Sequence, residues 1–194
     1  MIAGILLAAG RSTRFGSDKL LHAEPQGQPL ALQAARAFVS VQRTLAVIPA
    51  GNGQLRALFE SIGFPVTEVD GTAALSRSLR AGLEATAQAG GWIVGLADMP
   101  SVRPSTVAAI RQALEQGADI VACRHEGQRG NPVGFSQNMK TALLALEGDQ
   151  GARQLLLERS SAVHWLDVDD PGILLDIDAP ADWARFAASF SRHP

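Results

Sequence analysis

Apolar positions along the chain follow two rhythms. Short, nearly continuous apolar runs occur at Ile2–Leu7, Leu45–Pro49, Pro65–Val69, Trp92–Ala97 and Asp119–Cys123. Between them, apolar residues return every three or four positions. Gln28–Val41 carries Leu30, Leu32, Ala34, Ala35, Phe38 and Val41; Gln54–Ile62 carries Leu55, Leu58, Phe59 and Ile62. Ala73–Ala89 carries Leu75, Leu79, Leu83 and Ala87, and Ser105–Glu115 follows Pro104. The short runs predict buried strands and the longer segments predict helices with one buried face. A β-α-β-α alternation predicts a three-layer, Rossmann-like α/β fold with a mostly parallel central sheet. Such sheets bind ligands beyond the carboxyl ends of their strands. Ala9-Gly10, Asp70-Gly71 and Asp98-Met99 each follow a predicted strand and should gather on one edge.

Past Cys123 the pattern loosens. Arg124–Asn131 is polar and glycine-bearing, which predicts a loop, and Pro132–Phe135 a short strand. Lys140–Leu146 and Ala152–Arg159 read as short helices, Val163–Val168 and Ile173–Ile177 as strands, and Pro180–Phe190 as a closing helix. No internal repeat or linker interrupts the 194 residues, so one domain over 1–194 is the expectation.

Composition narrows the function classes. With 46% hydrophobic and 19% charged residues, the chain can bury a core. A net charge of -2 argues against nucleic-acid binding, which calls for a basic face. The apolar N-terminus lacks a basic start and is too short to span a bilayer, so a cytoplasmic, membrane-free protein is expected. The single cysteine, Cys123, cannot form an internal disulfide and is expected to be buried on a strand.

The strongest chemical signal is Leu7-Ala8-Ala9-Gly10-Arg11-Ser12-Thr13-Arg14-Phe15-Gly16-Ser17-Asp18-Lys19. A buried strand ends in small residues and turns through a glycine, so backbone N–H groups can cup phosphate oxygens. Arg14 can fork onto two of those oxygens and Lys19 adds a point charge. Neither Gly-Lys-Ser/Thr of a P-loop nor the Gly-x-Gly-x-x-Gly of dinucleotide folds is present. On the residues alone, an ordinary strand-to-helix turn with two exposed cations is the competing reading.

Two carboxylates stand out. Asp98, between a buried strand and Pro100, suits a hard cation such as Mg²⁺, or else a turn. Asp178, with Asp176 on the same face if the segment is a strand, could join it or cap the following helix. Asp167, Asp169 and Asp170, beside Pro171-Gly172, read as a solvated turn.

The loop resembles the signature of nucleotidyltransferases with a glycosyltransferase-A-like fold, in particular the molybdopterin nucleotidyltransferases. Leu7, Ala8, Ala9, Gly10, Arg14, Phe15, Gly16 and Lys19 fill the pattern Leu-Ala-(Ala/Gly)-Gly, three residues, Arg-(Met/Phe)-Gly, two residues, Lys. Asp98-Met99-Pro100, Arg129-Gly130-Asn131-Pro132-Val133, Gly148-Asp149-Gln150-Gly151-Ala152-Arg153 and Asp176-Ile177-Asp178-Ala179-Pro180-Ala181-Asp182 resemble four further motifs in the family's order. The resemblance implies a Mg²⁺-dependent transfer of a nucleotide to a phosphate acceptor, with release of pyrophosphate. It implies Leu7, Ala8, Ala9, Gly10, Arg14 and Lys19 on the triphosphate, and Gly71, Ser76 and Ser78 near base and ribose. Asp98 and Asp178 would hold the metal, and Arg129, Asn131 and Arg153 the acceptor. Leu-Ala-Ala-Gly and Gly-Asp-x-Gly-Ala-Arg resemble the branch that transfers CMP from CTP to molybdopterin, the molybdenum cofactor cytidylyltransferases; a molybdenum hydroxylase would then receive the product. GTP as donor, a sugar phosphate as acceptor, and a non-catalytic nucleotide- or cofactor-carrying module are the alternatives. Asn131 stands where the family's Gly-His-Pro-Val has histidine, which bears on the choice of acceptor.

Overall fold

The computed structural model describes residues 1–10, 18–23, 27–149, 152–179, 181–184 and 186. Seven strands form one sheet in the order β3-β2-β1-β4-β6-β5-β7. They are β1 (Ile2–Leu7), β2 (Arg43–Pro49), β3 (Val66–Val69), β4 (Gly91–Leu96), β5 (Ile120–His125), β6 (Gln128–Ser136) and β7 (Val163–Asp167). The helices are α1 (Leu30–Arg36), α2 (Gly53–Glu60), α3 (Leu75–Ala85), α4 (Pro104–Glu115), α5 (Lys140–Leu144) and α6 (Arg153–Glu158). Residues 181–184 are helical, inside the predicted closing helix.

Strands β1, β2, β3 and β4 pair in parallel, as do β5 and β7. Only β6 runs antiparallel, to both β4 and β5. The chain moves outward from β1 to β2 and β3, then returns to place β4 on the other side of β1. The strand order therefore reverses between β1 and β4, and a crevice opens at their carboxyl ends.

Alternation along β1 feeds two cores, one on each face. Ile2, Leu6 and Ala8 pack with Leu30, Phe38, Phe59, Val107 and Ile110 on one side. Ala3, Ile5 and Leu7 pack with Leu79, Leu83, Leu143 and Leu155 on the other. Phe38 lies across the sheet where β1 and β4 carry glycines. A Cβ on Gly4 would come within 2.8 Å of its ring, and one on Gly95 within 2.7 Å. Trp92 is fully buried, and its indole N–H donates to Thr86 Oγ1 at 3.0 Å.

Two predicted elements are corrected. Arg124–Asn131 is a β-hairpin rather than a loop: Arg124 pairs with Arg129 and His125 with Gln128. Glu126 (φ 49°) and Gly127 (φ 77°) form its two-residue turn, both in the left-handed region that hairpin turns demand. Glu-Gly is not the usual Asn-Gly or Asp-Gly, and the exposed tip lacks apolar alternation, so the strands read as a loop. Ile173–Ile177 is not a strand. Pro171–Leu174 is a 3-10 turn and the residues after it run unpaired into Asp178. Its apolar residues are buried by packing against β5 and β6, which a one-dimensional pattern does not separate from strand burial.

Candidate active site

The site lies where the strand order reverses. Ala97 N–H donates to the Leu7 carbonyl at 2.9 Å and Ala8 N–H to the Val47 carbonyl at 2.8 Å, so the chain leaves β1 and β4 side by side. Ala8 and Ala9 are buried, and Gly10 is exposed with open space where a Cβ would stand. Arg14 lies outside the described residues.

Lys19 opens a 3-10 turn, Lys19–Leu21. Asp18 fixes this turn from two sides. Its Oδ1 accepts from Leu20 N–H at 3.3 Å and its Oδ2 from Asn52 Nδ2 at 2.7 Å. Asn52 in turn caps α2 by accepting from Leu55 N–H at 3.0 Å. The lysine is thus seated on a helix start rather than on a loose loop.

From that seat the Lys19 ammonium bridges two carboxylates. Nζ lies 2.9 Å from Asp98 Oδ2 and 2.8 Å from Asp178 Oδ1. The lysine side chain is 7% exposed, against 23% for Asp98 and 32% for Asp178. Burial is the largest influence on Asp98 and pushes its carboxyl up. Lys19 pulls it back down, while the like charges of Asp178 and Asp176 add to the rise. For Lys19, burial disfavours the ammonium most strongly, but Asp98 and Asp178 together outweigh it and leave the lysine raised. The remaining Asp98 oxygen, Oδ1, is buried and accepts no hydrogen bond among the described residues. An orphaned carboxylate oxygen beside a second carboxylate fits a hard cation with oxygen ligands.

Asp178 is held by its neighbours. Ile177 N–H donates to the Asp98 carbonyl at 2.9 Å, tying the two ligand segments together. Asp182 accepts from the N–H of Asp178 at 3.1 Å and of Ala179 at 2.8 Å, reaching back over the start of the last helix. Asp176, predicted on a shared strand face, is exposed and not on a strand; it acts on Asp98 through charge alone. Among the described residues, no three His, Cys, Asp or Glu side chains cluster. A cation here would take two protein carboxylates and fill its shell with water and substrate oxygens.

A cavity of about 190 Å³ opens between β1, β4, β6, α3 and α6. Leu7, Arg129, Asn131 and Arg153 line it over a floor of Leu75, Leu79, Val94, Leu96 and Val133. The three predicted acceptor residues therefore meet. Among the described residues, Arg129 and Arg153 have no ion pair. Burial lowers the Arg129 pKa, and the like charge of Arg153 lowers it further. The structure does not bring all predicted residues into that cavity. Ser76 faces a larger groove on the other side of α3, and Ser78 is buried within the helix packing. Gly71 follows β3 beside Pro49.

Sequence reasoning missed Asp149 and Asp170. The first residue of α3 is preceded by Ala74, which offers no capping side chain; Asp149 supplies the acceptor instead, taking Leu75 N–H at 3.0 Å. Asp170, assigned to a solvated turn, is 1% exposed and does the same for α4. Its neighbours Asp167 and Asp169 are exposed as expected. An aspartate before Pro-Gly was the one local signal for Asp170; its helix partner lies 64 residues away in sequence. Cys123 is fully buried as predicted, and burial, with Asp170 beside it, pushes its thiol up to about 12.

The sequence profile of the MobA-like NTP transferase domain matches residues 4–163. The chain belongs to this family. It is therefore a nucleotidyltransferase of MobA-like type. No curated protein matched the chain by sequence. Among solved structures, Rv0371c from Mycobacterium tuberculosis H37Rv is 27% identical, with a TM-score of 0.85 over 96% of this chain and 98% of that one. A second structure of Rv0371c, in complex with manganese, is 28% identical, with a TM-score of 0.81 over 97% and 98% of the two chains. The molybdopterin-guanine dinucleotide biosynthesis protein A from Archaeoglobus fulgidus is 16% identical, with a TM-score of 0.70 over 98% and 99%. At that identity the likeness is one of fold. Among the described residues no helix is long and apolar enough to cross a membrane.

Proposed function

We propose that this MobA-like transferase moves CMP from CTP to the phosphate of molybdopterin, with a divalent cation, Mg²⁺ in the cell, held by Asp98 and Asp178. The observation that carries this reading is the convergence of Asp98, Asp178 and Lys19 at the reversal of strand order. The manganese complex of Rv0371c supports the use of a divalent metal. The Leu7-Ala8-Ala9-Gly10 and Gly148–Arg153 motifs support the cytidylyl branch. The metal would supply charge neutralisation at the triphosphate and a fixed template for it.

The protein's own groups account for the rest. Small residues Ala8, Ala9 and Gly10 let the triphosphate approach the backbone, with Gly71 toward base and ribose. Arg129, Asn131 and Arg153 hold an anionic acceptor above the apolar floor, and the two guanidiniums, without an ion pair among the described residues, fit a phosphate. An acceptor phosphate oxygen attacks the α-phosphorus, that P–O bond forms, and the bond to the β-phosphate oxygen breaks. Lys19 and Arg14 stabilise the charge carried off by pyrophosphate. The attacking phosphate is already ionised, so no general base is needed, and positioning with electrostatics supplies the catalysis. Asn131 donates and accepts hydrogen bonds but carries no charge where the family has histidine, so acceptor binding leans on the arginines. A cytoplasmic enzyme would hand its product to a molybdenum hydroxylase.

The test is pyrophosphate release from CTP or GTP with purified molybdopterin. CTP-dependent release in the wild type that Asp98→Ala abolishes is the expected result. Release from GTP alone would place the enzyme in the guanylyl branch. No release from either, with tight nucleotide binding, would favour a carrier module.

A further inference from the structure

We infer that Asp170 is a positioning residue for the metal site, holding Asp178 against Asp98. The inference rests on the reading of those two carboxylates as metal ligands. Asp170 is buried, and its three hydrogen-bond donors are neutral. Oδ2 accepts from Arg103 N–H at 2.9 Å and from Thr106 Oγ1 at 2.5 Å, and Oδ1 accepts from Gly172 N–H at 3.0 Å. Arg103 precedes α4 and gives no side-chain cap, so this distant carboxylate closes the helix start. The same carboxylate closes the 3-10 turn Pro171–Leu174 from its own N-cap position.

One side chain therefore joins the two segments that carry the ligands. Asp98 reaches Asp170 through Met99–Val102 and the start of α4. Asp178 reaches it through the 3-10 turn and Leu175–Ile177. The ring is closed at its far end by Ile177 N–H donating to the Asp98 carbonyl at 2.9 Å. Between these ends the strap has no slack. A Cβ on Gly172 would run into the Ser101 carbonyl, and one on Gly130 into the Ile173 carbonyl. A buried carboxylate accepting on both oxygens sets the distance between helix start and strap. Asparagine cannot replace it. The N–H groups of Arg103 and Gly172 approach opposite oxygens, so an amide must present its NH₂ to one of them.

The experiment is a Mn²⁺ titration followed by electron paramagnetic resonance, without nucleotide, on the wild type, Asp178→Ala, Asp170→Asn and Thr106→Val. Each protein is also melted to establish that it is folded at the titration temperature. Wild type binds and Asp178→Ala does not. Asp170→Asn raises the Mn²⁺ Kd about 10- to 100-fold, the usual cost of losing a partner that orients a metal ligand. Thr106→Val removes the hydroxyl donor but leaves both backbone bonds, so it lowers the melting temperature while Kd stays within about twofold of wild type. If Asp170→Asn does not fold, Gly130→Ala displaces the same strap, since its Cβ would meet Ile173 and not the carboxylate, and the same rise in Kd is expected. Wild-type Kd in the strap variants, with Mn²⁺ lost in Asp178→Ala, overturns the inference and leaves the metal site standing. A rise in Thr106→Val as large as in Asp170→Asn overturns it too, because general loosening would then set the affinity. Wild-type binding in Asp178→Ala overturns the metal site and the inference together.

Discussion

Replacing Lys19 with methionine should tighten metal binding in the absence of nucleotide. The ammonium sits 2.9 Å from Asp98 and 2.8 Å from Asp178, so a cation bound between those carboxylates must displace it. Two unit charges about 4 Å apart interact by about 1 kcal/mol in water and about 4 kcal/mol at an effective dielectric constant near 20. Both aspartates are partly exposed, at 23% and 32%, and solvent screens the contact, so about 2 kcal/mol for the bridge is a fair value. Methionine keeps the length of the side chain and removes that term. The nucleotide-free variant then loses about 2 kcal/mol of stability, a fall of about 4–8 °C in melting temperature for a chain of this size. The same 2 kcal/mol returns as an approximately 30-fold tighter Mn²⁺ Kd. Titration with Mn²⁺ by electron paramagnetic resonance reads the affinity directly, and added Mn²⁺ should restore the melting temperature. With CTP present the order reverses, because the triphosphate loses its lysine. A Lys19→Met protein that binds Mn²⁺ no tighter than wild type would refute the claim that lysine and metal share these oxygens.

Asp98→Ala should remove turnover in the pyrophosphate assay while leaving the circular dichroism spectrum native, since it deletes a group at the rim of the core. Asp149→Ala uncaps α3 and should cost about 1 kcal/mol, seen as a melting temperature lower by about 2–4 °C. Burial of Cys123, with its thiol pushed up to about 12, predicts no alkylation by iodoacetamide at pH 8 in the native protein and full alkylation in guanidinium chloride. Arg129→Met and Arg153→Met should each raise the KM for the acceptor more than that for CTP, measured by varying one substrate at a time.

Periodicity made most of the sheet and its helices legible, because β1, β2 and β4 are covered on both faces and read as unbroken apolar runs. Where burial comes from one-off packing, the pattern misled. Ile173 and Ile177 are fully buried without belonging to a strand, since they are covered by face packing in the core under β5 and β6 rather than by a paired neighbour. The hairpin between β5 and β6 was hidden for the opposite reason: its solvated tip, His125–Gln128, carries no apolar alternation. At the site, Asp98 and Asp178 were readable as carboxylates just past predicted strands, and Lys19 as the cation closing the loop after Leu7. Their convergence is a product of topology, which brings positions 79 and 159 residues apart in sequence to one ammonium. Asp149 and Asp170 were not readable as caps, because each serves a helix that its own sequence neighbourhood does not contain. Thr106 and Leu75 give no local hint of a distant carboxylate.

We propose that Asp98, Asp178 and Lys19 form a metal-dependent nucleotide site with a preference for CTP. Its most direct test is the thermal shift of the wild-type protein with CTP, GTP, ATP and UTP, each with Mg²⁺ and with EDTA. At about 100 times Kd, a ligand bound only by the native state adds about 2.7 kcal/mol, or about 5–11 °C here. The expected result is that shift for CTP with Mg²⁺, a smaller one for the other nucleotides, and its loss in EDTA. An equal CTP shift in EDTA, or none with any nucleotide, would contradict it.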